Sequence, residues 1–142
     1  MKNFLILCTI VFVSLLASSE SILAQKKSNN VDPEIDVYYF HRTIRCMTCK
    51  KVEELATKTL QENFANETSK GTIRFTPVNV EEEINFELAE KISGGNNGLF
   101  LVKHLKTGDQ IIDLNDAAYD NIRDEAKFKE AVSAKIREHL QK

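Results

Sequence analysis

Two cysteines separated by two residues, Cys46-Met47-Thr48-Cys49, stand between an apolar run, Val37-Tyr38-Tyr39-Phe40, and a stretch of helical periodicity that begins near Lys50. That junction constrains the fold more than any other part of the chain. A strand has to deliver the backbone to the cysteine pair, and a helix has to carry it away. At the first turn of a helix the leading sulfur faces N–H groups without intrahelical partners and the positive end of the helix dipole. Both favour a thiolate over a thiol, and the thiolate is the form that attacks disulfides or binds metals. Strand, CxxC and helix in that order are therefore a redox arrangement in geometry as well as in letters.

The rest of the chain is compatible with one domain built on this junction. It has 142 residues, 42% of them hydrophobic, and a formal charge of −2. Such a composition is that of a core-forming globular chain and excludes a disordered or collagen-like polymer. Near-neutral charge with dispersed basic residues gives no footprint for a nucleic acid partner.

The N-terminus reads as a leader rather than as part of the fold. Lys2 supplies a positive charge, and residues 4–16 are apolar except for Thr9 and Ser14. This run falls short of the roughly 20 residues that span a bilayer. A secretory signal peptide over residues 1–24, cut after Ala24, is the expectation, followed by a polar leader over residues 25–34 and a domain over residues 35–142. Cys8 lies too early in the run to be a lipid-attachment cysteine. Its removal leaves Cys46 and Cys49 as the two cysteines of an exported chain, in a periplasmic or secreted setting where disulfides persist. A purely structural staple is the bland reading of the pair. So small a ring removes little entropy from the unfolded chain, which argues against it.

Periodicity sets out the remaining elements. Residues 35–40 are rich in branched and aromatic side chains, as a buried strand requires. Val52, Leu55, Ala56, Leu60 and Phe64 recur at three- and four-residue steps and predict an amphipathic helix, closed by Gly71. Ile73, Phe75, Val78 and Val80 predict a second strand; Pro77 within it places that strand at a sheet edge or at a bulge. Glu81-Glu82-Glu83 would open a second helix whose apolar face is Ile84, Leu88 and Ile92. Ser93 through Gly98 (SGGNNG) reads as a loop. Residues 99–105 and 110–114 form a hairpin across Lys106-Thr107-Gly108-Asp109. Phe128, Val132, Ile136 and Leu140 mark a terminal helix. The first strand–helix–strand unit needs a parallel pair with a right-handed crossover, and the hairpin adds an antiparallel strand. The CxxC then lies at the carboxyl end of the first strand, where open α/β sheets place their ligands.

This βαβαββα order with a CxxC after its first strand resembles the thioredoxin-like superfamily: an α/β three-layer sandwich around a mixed four-stranded sheet. The resemblance runs from about Val37 to Leu140. More narrowly, Val37-Tyr-Tyr-Phe-His41, Arg45-Cys-x-Thr-Cys49, Val52-Glu53 and Asn79-Val80-Glu81-Glu82 are similar to a bacterial thioredoxin-like family named for a nitrophenyl-compound nitroreductase subunit. The resemblance implies an exported thiol-disulfide oxidoreductase or electron-transfer protein, acting as a monomer on protein thiols and disulfides. A membrane or periplasmic redox partner is among the partners it implies, with no bound cofactor and no membrane insertion once the signal is removed. Two departures stand out. Arg45 occupies the position where thioredoxins carry tryptophan, and the loop at Asn96-Asn97-Gly98 lacks the proline that usually faces the cysteines.

Cys46 is then the expected attacking thiol and Cys49 the more buried resolving thiol. Arg45, with Arg42, would place positive charge beside Cys46; its bland reading is a solvent-facing loop arginine. His41 would relay protons, or else is an ordinary strand-end residue. Thr48 has the chemistry to bond a helix-terminal N–H or a cysteine sulfur. Met47 would cover the ring or meet a partner. Tyr38 and Tyr39 read as sheet core, and His104 and His139 have no neighbour in sequence that assigns them chemistry. Two other functions use the same residues. One is capture of a soft metal or metalloid by the two thiolates, although Val52 stands where a copper-carrier pattern needs a further cysteine. The other is a non-catalytic docking module on the same fold.

Overall fold

A computed structural model describes residues 32–140. The expected signal peptide, most of the leader and the last two residues lie outside the described residues. Among the described residues no helix is long and apolar enough to cross a membrane.

Strand β1 (Ile35–His41) is the centre of the molecule, with six of its seven residues buried. It pairs in parallel with β2 (Ile73–Asn79) on one side and antiparallel with β3 (Gly98–Leu105) on the other; β3 pairs antiparallel with β4 (Gly108–Asp113). The result is a mixed four-stranded sheet of order β2-β1-β3-β4. Pro77 lies in β2, opposite Tyr39. That strand is an edge, where a missing N–H costs no ladder bond.

Alternation along β1 divides its side chains between two cores. Ile35, Val37 and Tyr39 pack with Val52, Leu55 and Leu60 of helix α1 (Met47–Asn63) and with Phe128, Val132 and Ile136 of the terminal helix. Tyr38 and Phe40 pack on the other face with Ala89 and Ile92 of helix α3 (Phe86–Ser93). Helices on both faces make the architecture three-layered α/β. Each buried large apolar side chain contributes about 1.5–3 kcal/mol. All five apolar positions read in the first helix are buried.

Four local differences from the sequence reading have physical causes. Helix α1 starts at Met47 rather than near Lys50, because Cys46 itself is the N-cap. The short helices α2 (Ala65–Ser69) and α4 (Asn115–Tyr119) carry too few residues to show a period in sequence. The terminal helix, α5, begins at Glu125, ahead of its first apolar position. The fourth difference concerns Ile84, which is 89% exposed instead of lining the apolar face of α3. The chain first makes a 3-10 turn (Glu83–Asn85), and the α-helix begins only at Phe86. A three-residue turn followed by a 3.6-residue helix breaks the phase between Ile84 and the buried Ala89 and Ile92. Gly94, at φ 61°, closes α3: its N–H donates to the Glu90 carbonyl, and the N–H of Gly95 donates to the Ala89 carbonyl.

Candidate active site

The site is built where β1 runs out. After His41 the chain crosses residues 42–45 and reaches Cys46, whose backbone is extended at φ −71° and ψ 164°. That conformation turns the Cys46 side chain back over the first turn of α1. There its sulfur accepts a hydrogen bond from the Cys49 N–H at 3.1 Å, the job a serine or aspartate does at an ordinary N-cap. The Cys46 carbonyl starts the helix by accepting the Lys50 N–H at 3.1 Å. Cys46 and Cys49 are disulfide-bonded with Cα atoms 5.1 Å apart. Cys46 is exposed and Cys49 half-buried, so an incoming group meets the Cys46 sulfur first.

Thr48 does not take the capping role open to it. Its side chain is exposed and, among the described residues, has no hydrogen-bond partner; the sulfur of Cys46 already receives the available N–H. Met47 is 81% exposed and leaves the ring uncovered.

Beneath the disulfide lies a set of residues that the sequence reading treated as core or left out. Tyr39 is completely buried, and its hydroxyl donates to the Cys49 carbonyl oxygen at 2.7 Å. Burial, with the neighbouring Tyr119, pushes its ionisation well above the ordinary tyrosine range, so it stays a donor at any physiological pH. The Arg45 guanidinium stacks over the Tyr39 ring, 5.5 Å from its centroid, and forms an ion pair with Glu53 one turn beyond Cys49. Arg45 is only 19% exposed in its side chain. It is not a solvent-facing loop residue, and its charge is partnered by Glu53.

The loop that carries the cysteines is tied to the end of β2. The Thr43 N–H donates to Glu81 Oε2 at 3.0 Å, and Asn79 Nδ2 donates to the Thr43 hydroxyl at 3.0 Å. The Thr43 hydroxyl and the Thr43 N–H, with the charge of Arg42, hold the Glu81 carboxyl below the usual carboxylate range. The Val80 N–H closes the same junction on the His41 carbonyl at 2.9 Å. His41 is half-buried, with Nδ1 3.0 Å from the Arg42 carbonyl and its ring 6.1 Å from that of Tyr39. The structure therefore brings Cys46, Cys49, Arg45 and His41 to one end of the sheet. It adds Tyr39, Thr43, Glu53, Asn79 and Glu81. An arginine and a glutamate eight residues apart, or a tyrosine inside an apolar run, give no signal of such contacts in sequence.

His104 lies at the opposite end. Its Nε2 is 2.9 Å from Asp36 Oδ2 and its Nδ1 2.8 Å from Asp109 Oδ1. Asp36 is 1% exposed and also accepts two hydrogen bonds from Arg74, at 2.7 and 2.8 Å. Lys91 pairs with Asp109 at 2.8 Å. These charges border a cleft of about 440 Å³ beside α3, and each is matched by another. Among the described residues no group of three or more His, Cys, Asp or Glu side chains is placed to hold a metal ion. The chain matches no family model, no curated protein and no solved structure.

Proposed function

We propose that this chain is an exported thiol-disulfide oxidoreductase of thioredoxin-like fold that exchanges disulfides with protein partners through Cys46 and Cys49. The observation that carries the reading is the Cys49 N–H aimed at the Cys46 sulfur from the first turn of α1, at the carboxyl end of the central strand. A donor in that position favours negative charge on the sulfur, and the helix end adds to it. Glu53 partners Arg45 and so offsets part of what the arginine's charge adds to this effect.

In the reducing direction the Cys46 thiolate attacks one sulfur of a partner disulfide. A bond forms between Cys46 and that sulfur, and the partner's S–S bond breaks; its leaving sulfur takes a proton. Cys49, deprotonated, then attacks Cys46, forms the internal disulfide and releases the second partner thiolate. The Cys46–Cys49 dithiol is oxidised by two electrons and the partner disulfide reduced by two. Run backwards, the same steps oxidise a partner dithiol. His41 is the proposed proton carrier; its Nε2 is the nitrogen not held at Arg42.

An insulin-reduction assay on the wild type and on Cys46→Ser tests the reading, together with the rate of Cys46 alkylation in the reduced chain. Turnover that disappears in the variant is expected, with alkylation faster at pH 7 than that of a free cysteine. No turnover, and alkylation no faster than the free amino acid, would remove the oxidoreductase assignment.

A further inference from the structure

Six large hydrophobic side chains are exposed among the described residues, and four of them gather at the disulfide end of the sheet. Ile44 is 93% exposed, Met47 81%, Ile84 89% and Phe86 62%. Ile44 and Met47 flank Cys46 in sequence; Ile84 and Phe86 follow the end of β2. The two segments are joined by the Thr43–Glu81 and Asn79–Thr43 hydrogen bonds. Ile84 is held outward by a built turn. Asn85 donates its backbone N–H to the Glu82 carbonyl at 2.9 Å and its Nδ2 to the Asn79 carbonyl at 3.0 Å, with a further contact to Glu82 Oε2 at 3.2 Å. Isolated exposed apolar residues are ordinary on a protein surface, but a cluster fixed in place beside a reactive group marks an interaction site.

Every charge on residues 81–87 is negative, and the basic residue that reaches them is Arg42, which acts on Glu81. Glu81, Glu82, Glu83 and Glu87 are all exposed, and among the described residues Glu82, Glu83 and Glu87 form no ion pair. Negative charge left uncompensated next to apolar side chains is complementary to a surface that is both apolar and basic.

We infer that Ile44 and Met47 together with segment 81–86 form one docking surface, and that its occupant is a partner polypeptide whose cysteine is flanked by apolar residues with lysine or arginine toward Glu82 and Glu83. The inference rests on the thiol-disulfide reading and names the kind of partner it serves. Size favours a passing partner over a second copy of this chain. A stable complex buries about 800 Å² on each side, more than four side chains supply, whereas redox encounters lie at the small end of the range.

The test separates docking from chemistry. A fluorescent ten-residue peptide with two apolar residues, three lysines and serine in place of cysteine is titrated onto the full chain. A matched peptide carries glutamate in place of lysine. The lysine peptide is expected to bind about tenfold more tightly, with the preference shrinking at high salt. Ile84→Ser with Phe86→Ser should weaken the lysine peptide about tenfold, and Glu83→Lys should shrink the preference several-fold. All three positions are exposed, so these variants are expected to fold, and unchanged far-UV circular dichroism checks it. In parallel, cysteine-containing peptides of the same design, oxidised as mixed disulfides, should follow the binding order. Oxidised glutathione, too small to span the surface, should react with every variant at the wild-type rate. Equal binding of the two peptides, or variants that bind like the wild type, would overturn the surface. So would wild-type sedimentation as a dimer that Ile84→Ser with Phe86→Ser converts to a monomer. Selective binding without disulfide exchange would leave the surface standing and overturn the redox reading instead.

Discussion

The Tyr39 hydroxyl donates a hydrogen bond of 2.7 Å to the Cys49 carbonyl, joining the fully buried centre of β1 to the first turn of α1. A bond of this kind contributes about 1 kcal/mol net, and the ring beneath Arg45 adds packing that phenylalanine would keep. Tyr39→Phe should therefore cost about 1 kcal/mol and lower Tm by about 4 °C. Tyr39→Ala, which empties the site, should cost about 3–5 kcal/mol. Urea unfolding of the two variants checks both. A Tyr39→Phe protein as stable as the wild type would mean that the hydroxyl does not anchor the cysteine turn.

Gly98 opens β3 directly opposite Phe40, with φ at 157°. A Cβ here would lie 2.5 Å from Asn115 Oδ1 and 2.8 Å from the Phe100 ring. Asn115 is not free to swing away, because the same Oδ1 accepts the Leu99 N–H at 2.9 Å. Displacing it would strand a donor at the start of the strand beside the site. Gly98→Ala is expected to cost about 1–3 kcal/mol. The double variant Gly98→Ala with Asn115→Gly should recover the steric cost owed to Asn115, but neither the contact with the Phe100 ring nor the hydrogen bond. Equal stability of wild type and Gly98→Ala in a denaturant titration would show that this turn has room to relax.

Local patterns made most of the fold legible. The stripe from Val52 to Phe64 survives as a buried face because one uninterrupted helix keeps its period. Pro77 correctly marks an edge because its missing N–H is a property of the residue alone. Ile84 misled because a 3-10 turn, set by Asn85 side-chain bonds, shifted the phase before the helix began. The CxxC and its helix were visible together, yet the residues under them were not. Tyr39 differs from its apolar neighbours by one hydroxyl, and Arg45 finds Glu53 only once the helix has turned. Asp36, inside a buried strand, meets Arg74 and His104 only through pairing with β2 and β3, and His104 meets Asp109 only through the β3–β4 hairpin. Contacts of that separation have no signature in one sequence.

The Arg45–Glu53 ion pair leads to a kinetic prediction of opposite sign for its two members. Glu53→Gln leaves the guanidinium uncompensated near the cysteine turn, which favours the Cys46 thiolate. Arg45→Ala leaves the carboxylate instead and disfavours it. In the reduced chain, alkylation of Cys46 at pH 6.5 should rise about threefold in Glu53→Gln and fall by a similar factor in Arg45→Ala. Both variants altering the rate in the same direction would assign the pair to packing against Tyr39 and not to tuning the thiol.

His104 sets a pH dependence at the far end of the molecule. Burial acts to lower its ionisation, but hydrogen bonds and charge from Asp36 and Asp109 outweigh this and leave it raised above 6.5. Protonated, the ring donates from both nitrogens, one to each carboxylate; neutral, it has a single N–H, and one contact loses its proton. Arg74 and Tyr38 face the same Asp36, and Lys91 faces Asp109, so the histidine is one positive group among several on these acids. A histidine whose pKa is raised on folding contributes stability that is complete below about 6.5 and is lost as pH rises through the higher folded value. Asp109 works in another window: Lys91 first, then His104, hold it below the ordinary aspartate range, so its contribution is lost only in acid. The wild type should therefore lose stability between about pH 6 and 8 relative to His104→Gln, with the difference between the two largest at pH 5.5. Urea midpoints measured across that range decide it. Parallel curves for the two proteins would mean that the histidine stays neutral between its two acids, and that Arg74 and Tyr38 hold Asp36 in the sheet without the histidine's charge.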